Sequence, residues 1–69
     1  MDIKLRFGKR LHDLRIERGL SQEAVANLAD IDRTYIQSIE KGKRNVSISI
    51  LEKLSITLEI SLSELLKEI

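Results

Sequence analysis

The sequence contains no cysteine, no proline and no tryptophan, and only one histidine. Without cysteine there is neither a disulfide staple nor a thiolate metal site. Glycine occurs only at positions 8, 19 and 42, so no glycine-rich loop is available to cradle a phosphate. Aromatic side chains are limited to Phe7 and Tyr35, too few to stack the bases of a single strand, and Phe7 is read as core. His12 has no cysteine or acidic cluster at ligand spacing, which argues against a metal centre. The serines at 47, 49, 55, 61 and 63 have no histidine base nearby. No catalytic residue, metal, cofactor or small-molecule ligand is therefore indicated. No apolar run approaches the ~20 residues that a membrane helix needs. The first ten residues carry Asp2, Lys4, Arg6, Lys9 and Arg10, which leaves no apolar signal core. The expectation is a cytoplasmic, non-enzymatic protein with no membrane partner.

With 69 residues the chain holds one domain, taken as residues 1–69. A domain so short buries only about 60% of its unfolded surface, so its core is small. With no staple to help, pairing with a second copy is the natural further source of stability. Net charge is +1 but unevenly spread. Residues 1–45 carry ten basic and seven acidic side chains, and residues 46–69 carry two and four. The first two-thirds is the better face for an anionic partner.

Apolar residues recur at spacings of three and four, the helical period, and no segment keeps a strand-like alternation. The reading is all-α with five helices. Helix one spans Ile3 to Arg18 with a buried stripe of Ile3, Phe7, Leu11 and Leu14, and Gly19 ends it. Ser21 caps helix two, Gln22 to Ala29, whose Val25 and Leu28 face inward with Ala24 and Ala29 beside them. Asp32 caps helix three, Arg33 to Lys41, and Gly42 stops it. Ser47 caps helix four, Ile48 to Leu58. Ser61 and Glu64 stand at capping-box spacing, so helix five begins near Leu62 and runs to residue 69.

Only Asp30, Ile31 and Asp32 separate helices two and three, the short connection of a helix-turn-helix. Small alanines at 26 and 29 let the two helices approach closely. On helix three the only aliphatic residues, Ile36 and Ile39, share the inward face. Arg33, Thr34, Gln37, Ser38 and Lys41 fall on the other side. An exposed helix fits the major groove of B-DNA, where Arg can bond guanine and Gln adenine through two hydrogen bonds each. Lys41, Lys43, Arg44 and Asn45 follow where a duplex backbone would pass. Tyr35 has two readings: it closes the core near Ile31, or its hydroxyl reaches a phosphate.

The segments Gly19-Leu20-Ser21-Gln22-Glu23, Arg33-Thr34-Tyr35-Ile36 and Ile39-Glu40-Lys41-Gly42-Lys43-Arg44-Asn45 closely resemble the Cro and phage-repressor helix-turn-helix family. Leu51, Leu54, Leu58 and Ser61-Leu62-Ser63-Glu64-Leu65-Leu66 extend the match over helices four and five. Within the family the chain looks most like the controller proteins of restriction–modification systems. The resemblance implies a five-helix repressor-like fold, a homodimer and a paired, pseudo-palindromic operator. It implies that Arg33, Thr34, Gln37 and Ser38 face the bases. It implies that Gln22, Arg44 and Asn45 hold the DNA backbone, and that Arg15 pairs with Glu40. Three positions depart from the family pattern: Asp30 and Glu59 replace usual glycines, and Val46 replaces a frequent proline. Asp visits positive φ more readily than most residues; for Glu59 the sequence alone offers no physical account.

Leu51, Leu54 and Leu58 form one stripe on helix four, and Ile56 lies about 140° round from Leu51 at ~100° per residue. Ile56, with Ile60, Leu66 and Ile69, therefore forms the candidate dimer interface. The sequence reads as a sequence-specific, double-stranded-DNA-binding regulator, with the controller role leading. A phage or plasmid repressor and an antitoxin are the nearest alternatives. A helical protein-interaction module without DNA binding is the alternative of a different class.

Overall fold

The structure, a computed structural model, describes residues 2–69. Five helices follow one another: α1 Ile3–Glu17, α2 Gln22–Ala29, α3 Arg33–Glu40, α4 Ile48–Leu58 and α5 Leu62–Leu65. Each starts where a short polar side chain can accept from an otherwise unpaired backbone N–H. Asp2 accepts from Lys4, Ser21 from Ala24, Asp32 from Thr34, Ser47 from Ile50 and Ser61 from Glu64, all within 3.2 Å. These local signals place the starts of α2, α3, α4 and α5 where the sequence puts them.

Helices α1 to α4 end alike. Gly19, Asp30, Gly42 and Glu59 all take positive φ, between 56° and 74°. The following residue then donates its N–H back to a carbonyl five positions earlier. Leu20 reaches Arg15, Ile31 reaches Ala26, Lys43 reaches Ser38 and Ile60 reaches Ser55, at 2.9–3.0 Å. This is the Schellman ending, which usually calls on glycine. It supplies the physical account that Glu59 lacked: its left-handed turn folds Ile60 back onto the core, as Asp30 does for Ile31.

Phe7, Leu11, Leu14, Val25, Ala26, Ile36, Ile39, Leu54, Leu58 and Leu65 form one buried cluster. Three expectations are corrected. Ile3 is 56% exposed and flanks the core instead of joining it. Leu28 is 65% exposed, because Val25, Ala26 and Ala29 define the inward arc of α2 and Leu28 stands roughly 100° from its centre. Helix five is a single turn and does not continue to residue 69. The Arg10 guanidinium takes the carbonyls of Glu64 and Leu65, and Glu68 at φ 61° turns the chain aside. Glu64 also bonds Arg10 with its side chain, so the box with Ser61 is made from one side. Helices α1 and α3 each end one residue before the expected boundary, at Glu17 and Glu40.

Gly8 fixes how closely α1 lies on α3. A methyl group there would run into the carbonyl oxygens of Ile39 and Glu40. Only a residue without Cβ lets the two backbones meet, so the end of α3 rests directly on α1.

Candidate nucleic-acid interface

Helices α2 and α3 join through Asp30, Ile31 and Asp32, with Ile31 packed on the core. The turn is rigid for local reasons. Ile31 N–H bonds Ala26, and Asp32 accepts from both the backbone and the hydroxyl of Thr34 at 2.7 and 2.5 Å. These two bonds favour the ionised carboxylate and hold its pKa below the ordinary range.

Helix α3 is sharply two-sided. Ile36 and Ile39 are fully buried, whereas Arg33 and Thr34 are exposed and Gln37 and Ser38 half-buried. Lys41, Lys43, Arg44 and Asn45 follow, all exposed. Arg33, Lys41, Lys43 and Arg44 have no acidic partner among the described residues. Tyr35 is half-buried against the core, and the Arg44 guanidinium lies 5.0 Å from its ring centroid, a cation–π stack. The polar row of α3 is thus followed directly in the chain by an exposed cationic loop.

Behind α3 sits a buried polar cluster. Arg15 donates from Nε and Nη2 to the two carboxylate oxygens of Glu40, at 2.7 and 2.9 Å, and from Nη1 to the Leu20 carbonyl at 2.9 Å. Both side chains are over nine-tenths buried. Gln22 Nε2 donates to Glu40 Oε1 at 3.1 Å. Burial pushes the Glu40 carboxyl up, but hydrogen bonds from Arg15, Gln22 and His12 overcome this and leave it below its ordinary value. The same bond to Glu40 raises Arg15 against the opposing effect of burial. His12 Nδ1 lies 3.1 Å from both Glu40 Oε1 and Arg15 Nη2. The sequence reading missed this role, because the acid that His12 meets is 28 positions away. Gln22 was expected at a phosphate; here its amide is turned to Glu40.

The pattern of the helix-turn-helix family matches residues 11–65. The control protein C.MunI of a Mycoplasma species is 58% identical over 69 residues, covering 99% of this chain and 93% of that protein. The chain belongs to the helix-turn-helix family, among its restriction–modification control proteins. Solved structures agree. The restriction–modification controller protein C.AhdI from Aeromonas hydrophila superposes with a TM-score of 0.88 at 45% identity, over 90% of this chain and 94% of that one. The controller protein C.Esp1396I, solved as a tetramer in complex with its natural 35 base-pair operator, superposes with a TM-score of 0.85 at 33% identity, over 96% and 91%.

The candidate interface between copies is less uniform than the sequence suggests. Ile56 is 70% exposed on α4, but Ile60, Leu66 and Ile69 are half-buried against their own core. Ile48 at 77% and Leu62 at 38% are exposed apolar neighbours in the chain that the sequence reading did not single out.

Proposed function

We propose that the chain is a homodimeric transcriptional regulator of a restriction–modification operon, working in the cytoplasm on a pseudo-palindromic operator and carrying out no catalytic step. The observation that carries this reading is the polar Arg33–Thr34–Gln37–Ser38 row on a helix-turn-helix, with Arg33 and Thr34 exposed and Gln37 and Ser38 half-buried, followed in the chain by the unpaired cations at 41, 43 and 44. The row enters a major groove. Arg33 and Gln37, one helical turn apart, read base edges, with Thr34 and Ser38 beside them. Lys41, Lys43, Arg44 and Asn45 set the register on the phosphates, which carry affinity but no sequence information. Gln22 and Tyr35 border the same backbone. The buried Arg15–Glu40 pair holds α3 at its angle.

A two-fold dimer through Ile56, with Ile60, Leu66 and Ile69 near it, brings the two copies of α3 to successive major grooves about 34–36 Å apart. The relative solved on its operator supports DNA as the partner of this fold. No helix among the described residues is long and apolar enough to cross a membrane. The test is selection of binding sites from a random duplex pool, followed by footprinting. Inverted half-sites centred about one helical turn apart are expected; enrichment of no sequence would overturn the assignment.

A further inference from the structure

The first turn of α1, the loop after α3, α4 and the residues following α5 enclose an open pocket of about 290 Å³. Phe7, Val46, Leu51, Leu66 and Ile69 give it an apolar lining, and Phe7 is buried at its base. Among the described residues, Lys4 and Arg44 are its only charged lining side chains, and no acidic side chain lines it. Neither cation has an acidic partner among the described residues. The contrast with the rest of α1 is plain. Arg6 bonds the Ile69 carbonyl, Lys9 bonds Asp13, Arg10 bonds Glu64 and Arg15 bonds Glu40. Stacking on Tyr35 holds the Arg44 guanidinium in place beside the pocket. Leu66 and Ile69 border both this pocket and the proposed dimer surface, whereas Leu51 faces about 140° from Ile56 round α4, so the Leu51 side of the pocket lies away from Ile56.

We propose that this pocket binds a small amphipathic carboxylate, its apolar chain against Phe7, Leu51 and Leu66 and its carboxylate between Lys4 and Arg44. Volume and lining suit such a ligand: mostly apolar walls with a few convergent polar groups that fix orientation. Two unpaired cations beside an apolar lining select an anion over a neutral or cationic amphiphile. Resting on the assignment of Arg44 to the DNA backbone, the ligand is an effector. A guanidinium engaged by a carboxylate is withdrawn from phosphate, so occupancy weakens operator binding.

The experiment uses the full chain labelled with ¹⁵N and titrated with octanoate at fixed salt. Octan-1-ol and octyltrimethylammonium serve as controls. Saturable shifts at the amides of Phe7, Val46, Leu51, Leu66 and Ile69 are expected, with affinity rising about fourfold per methylene from hexanoate to octanoate, the ratio that burying one methylene produces. The alcohol and the ammonium should bind at least fivefold more weakly. Lys4→Glu, at a position outside the DNA-reading row, should weaken octanoate at least fivefold with the helical spectrum unchanged. Linear or scattered shifts, equal binding of the alcohol, or full affinity in Lys4→Glu would each overturn the site. A parallel titration of the selected duplex separates the two readings. Octanoate should lower duplex affinity in the wild type and much less in Lys4→Glu. Saturation of the pocket with duplex affinity unchanged would refute the Arg44–phosphate contact while upholding the pocket.

Discussion

Replacing Glu40 by alanine should be among the most damaging single changes in this domain. The substitution removes the two carboxylate acceptors of a guanidinium whose side chain is 9% exposed, and at the same stroke the acceptor of Gln22. Breaking one side of a buried pair costs roughly 3–5 kcal/mol, because the remaining charge is stranded. Arg15 keeps the Leu20 carbonyl and can turn Nη2 to His12 Nδ1, which draws the expected cost toward ~3 kcal/mol. A domain of this size has about 3–10 kcal/mol in all. With a urea dependence near ~1 kcal/mol/M, the midpoint should fall by about 3 M or the variant should not fold. Arg15→Ala should cost less, since a stranded carboxyl can take up a proton and a stranded guanidinium cannot lose one. Replacing both by leucine and methionine should recover much of the loss. Glu40 has its folded pKa lowered from an ordinary 4.5, so its stabilising effect is full above that value and fades as pH falls through the folded pKa. The acid limb of the stability–pH curve should therefore flatten in Glu40→Ala. Urea melts of the four proteins at fixed protein concentration, from pH 7 down to 3, test all of this. A midpoint shift under 0.5 M for Glu40→Ala, by the same ~1 kcal/mol/M slope, would refute the argument.

Further expectations concern the DNA face, the dimer and one backbone turn. Arg33→Ala should cost roughly 1–3 kcal/mol on the cognate duplex and relax one base position, whereas Arg44→Ala should weaken cognate and scrambled duplexes alike and reduce the salt slope by about one. Salt-dependent anisotropy titrations on both duplexes distinguish them, and equal losses for Arg33→Ala would count against base readout. Ile56→Glu should yield helical monomers that bind the operator poorly; sedimentation showing an unchanged dimer would move the interface elsewhere. Glu59→Gly relieves a left-handed residue at φ 57° and should raise stability by about 0.5–1 kcal/mol, the strain of roughly 1–2 kcal/mol less the entropy that glycine costs. Thermal melts check this, and a lower melting temperature would show that the Glu59 turn is unstrained.

What the sequence made legible was what is written locally. Ser21, Asp32, Ser47 and Ser61 each cap within three residues, so the helix starts could be read from the chain. The inward faces of α3 and α4 followed from period alone, because Ile36, Ile39, Leu54 and Leu58 are the obvious stripes. What eluded reading depended on where other helices lie. Leu28 and Ile3 have ordinary apolar spacing, and only the absence of a neighbour leaves them exposed. The carbonyls at the end of the short α5 are taken by Arg10, which is more than fifty positions away. At the candidate site, the exposed row on α3 was visible from residue types, whereas the placing of His12 and Gln22 on Glu40 needed three helices to be assembled first. The spacing of Gly8 gave no hint that α3 rests against it.

That contact divides α3 between two kinds of evolutionary freedom. Its final turn is clamped from behind, by the bare backbone at Gly8 and by the Arg15–Glu40 pair. Its opening turn, with Arg33 and Thr34, projects into solvent and is secured by the cap at Asp32. A lineage drifting toward a new target sequence can therefore exchange residues at the free end with little penalty to folding, while the anchored end keeps the helix aimed. The exposed Arg33 and Thr34 thus stand in the first turn of this eight-residue helix, and the clamped Ile39 and Glu40 in its last. On the proposed reading of α3, that arrangement lets the scaffold acquire new vocabularies at its free end without being rebuilt.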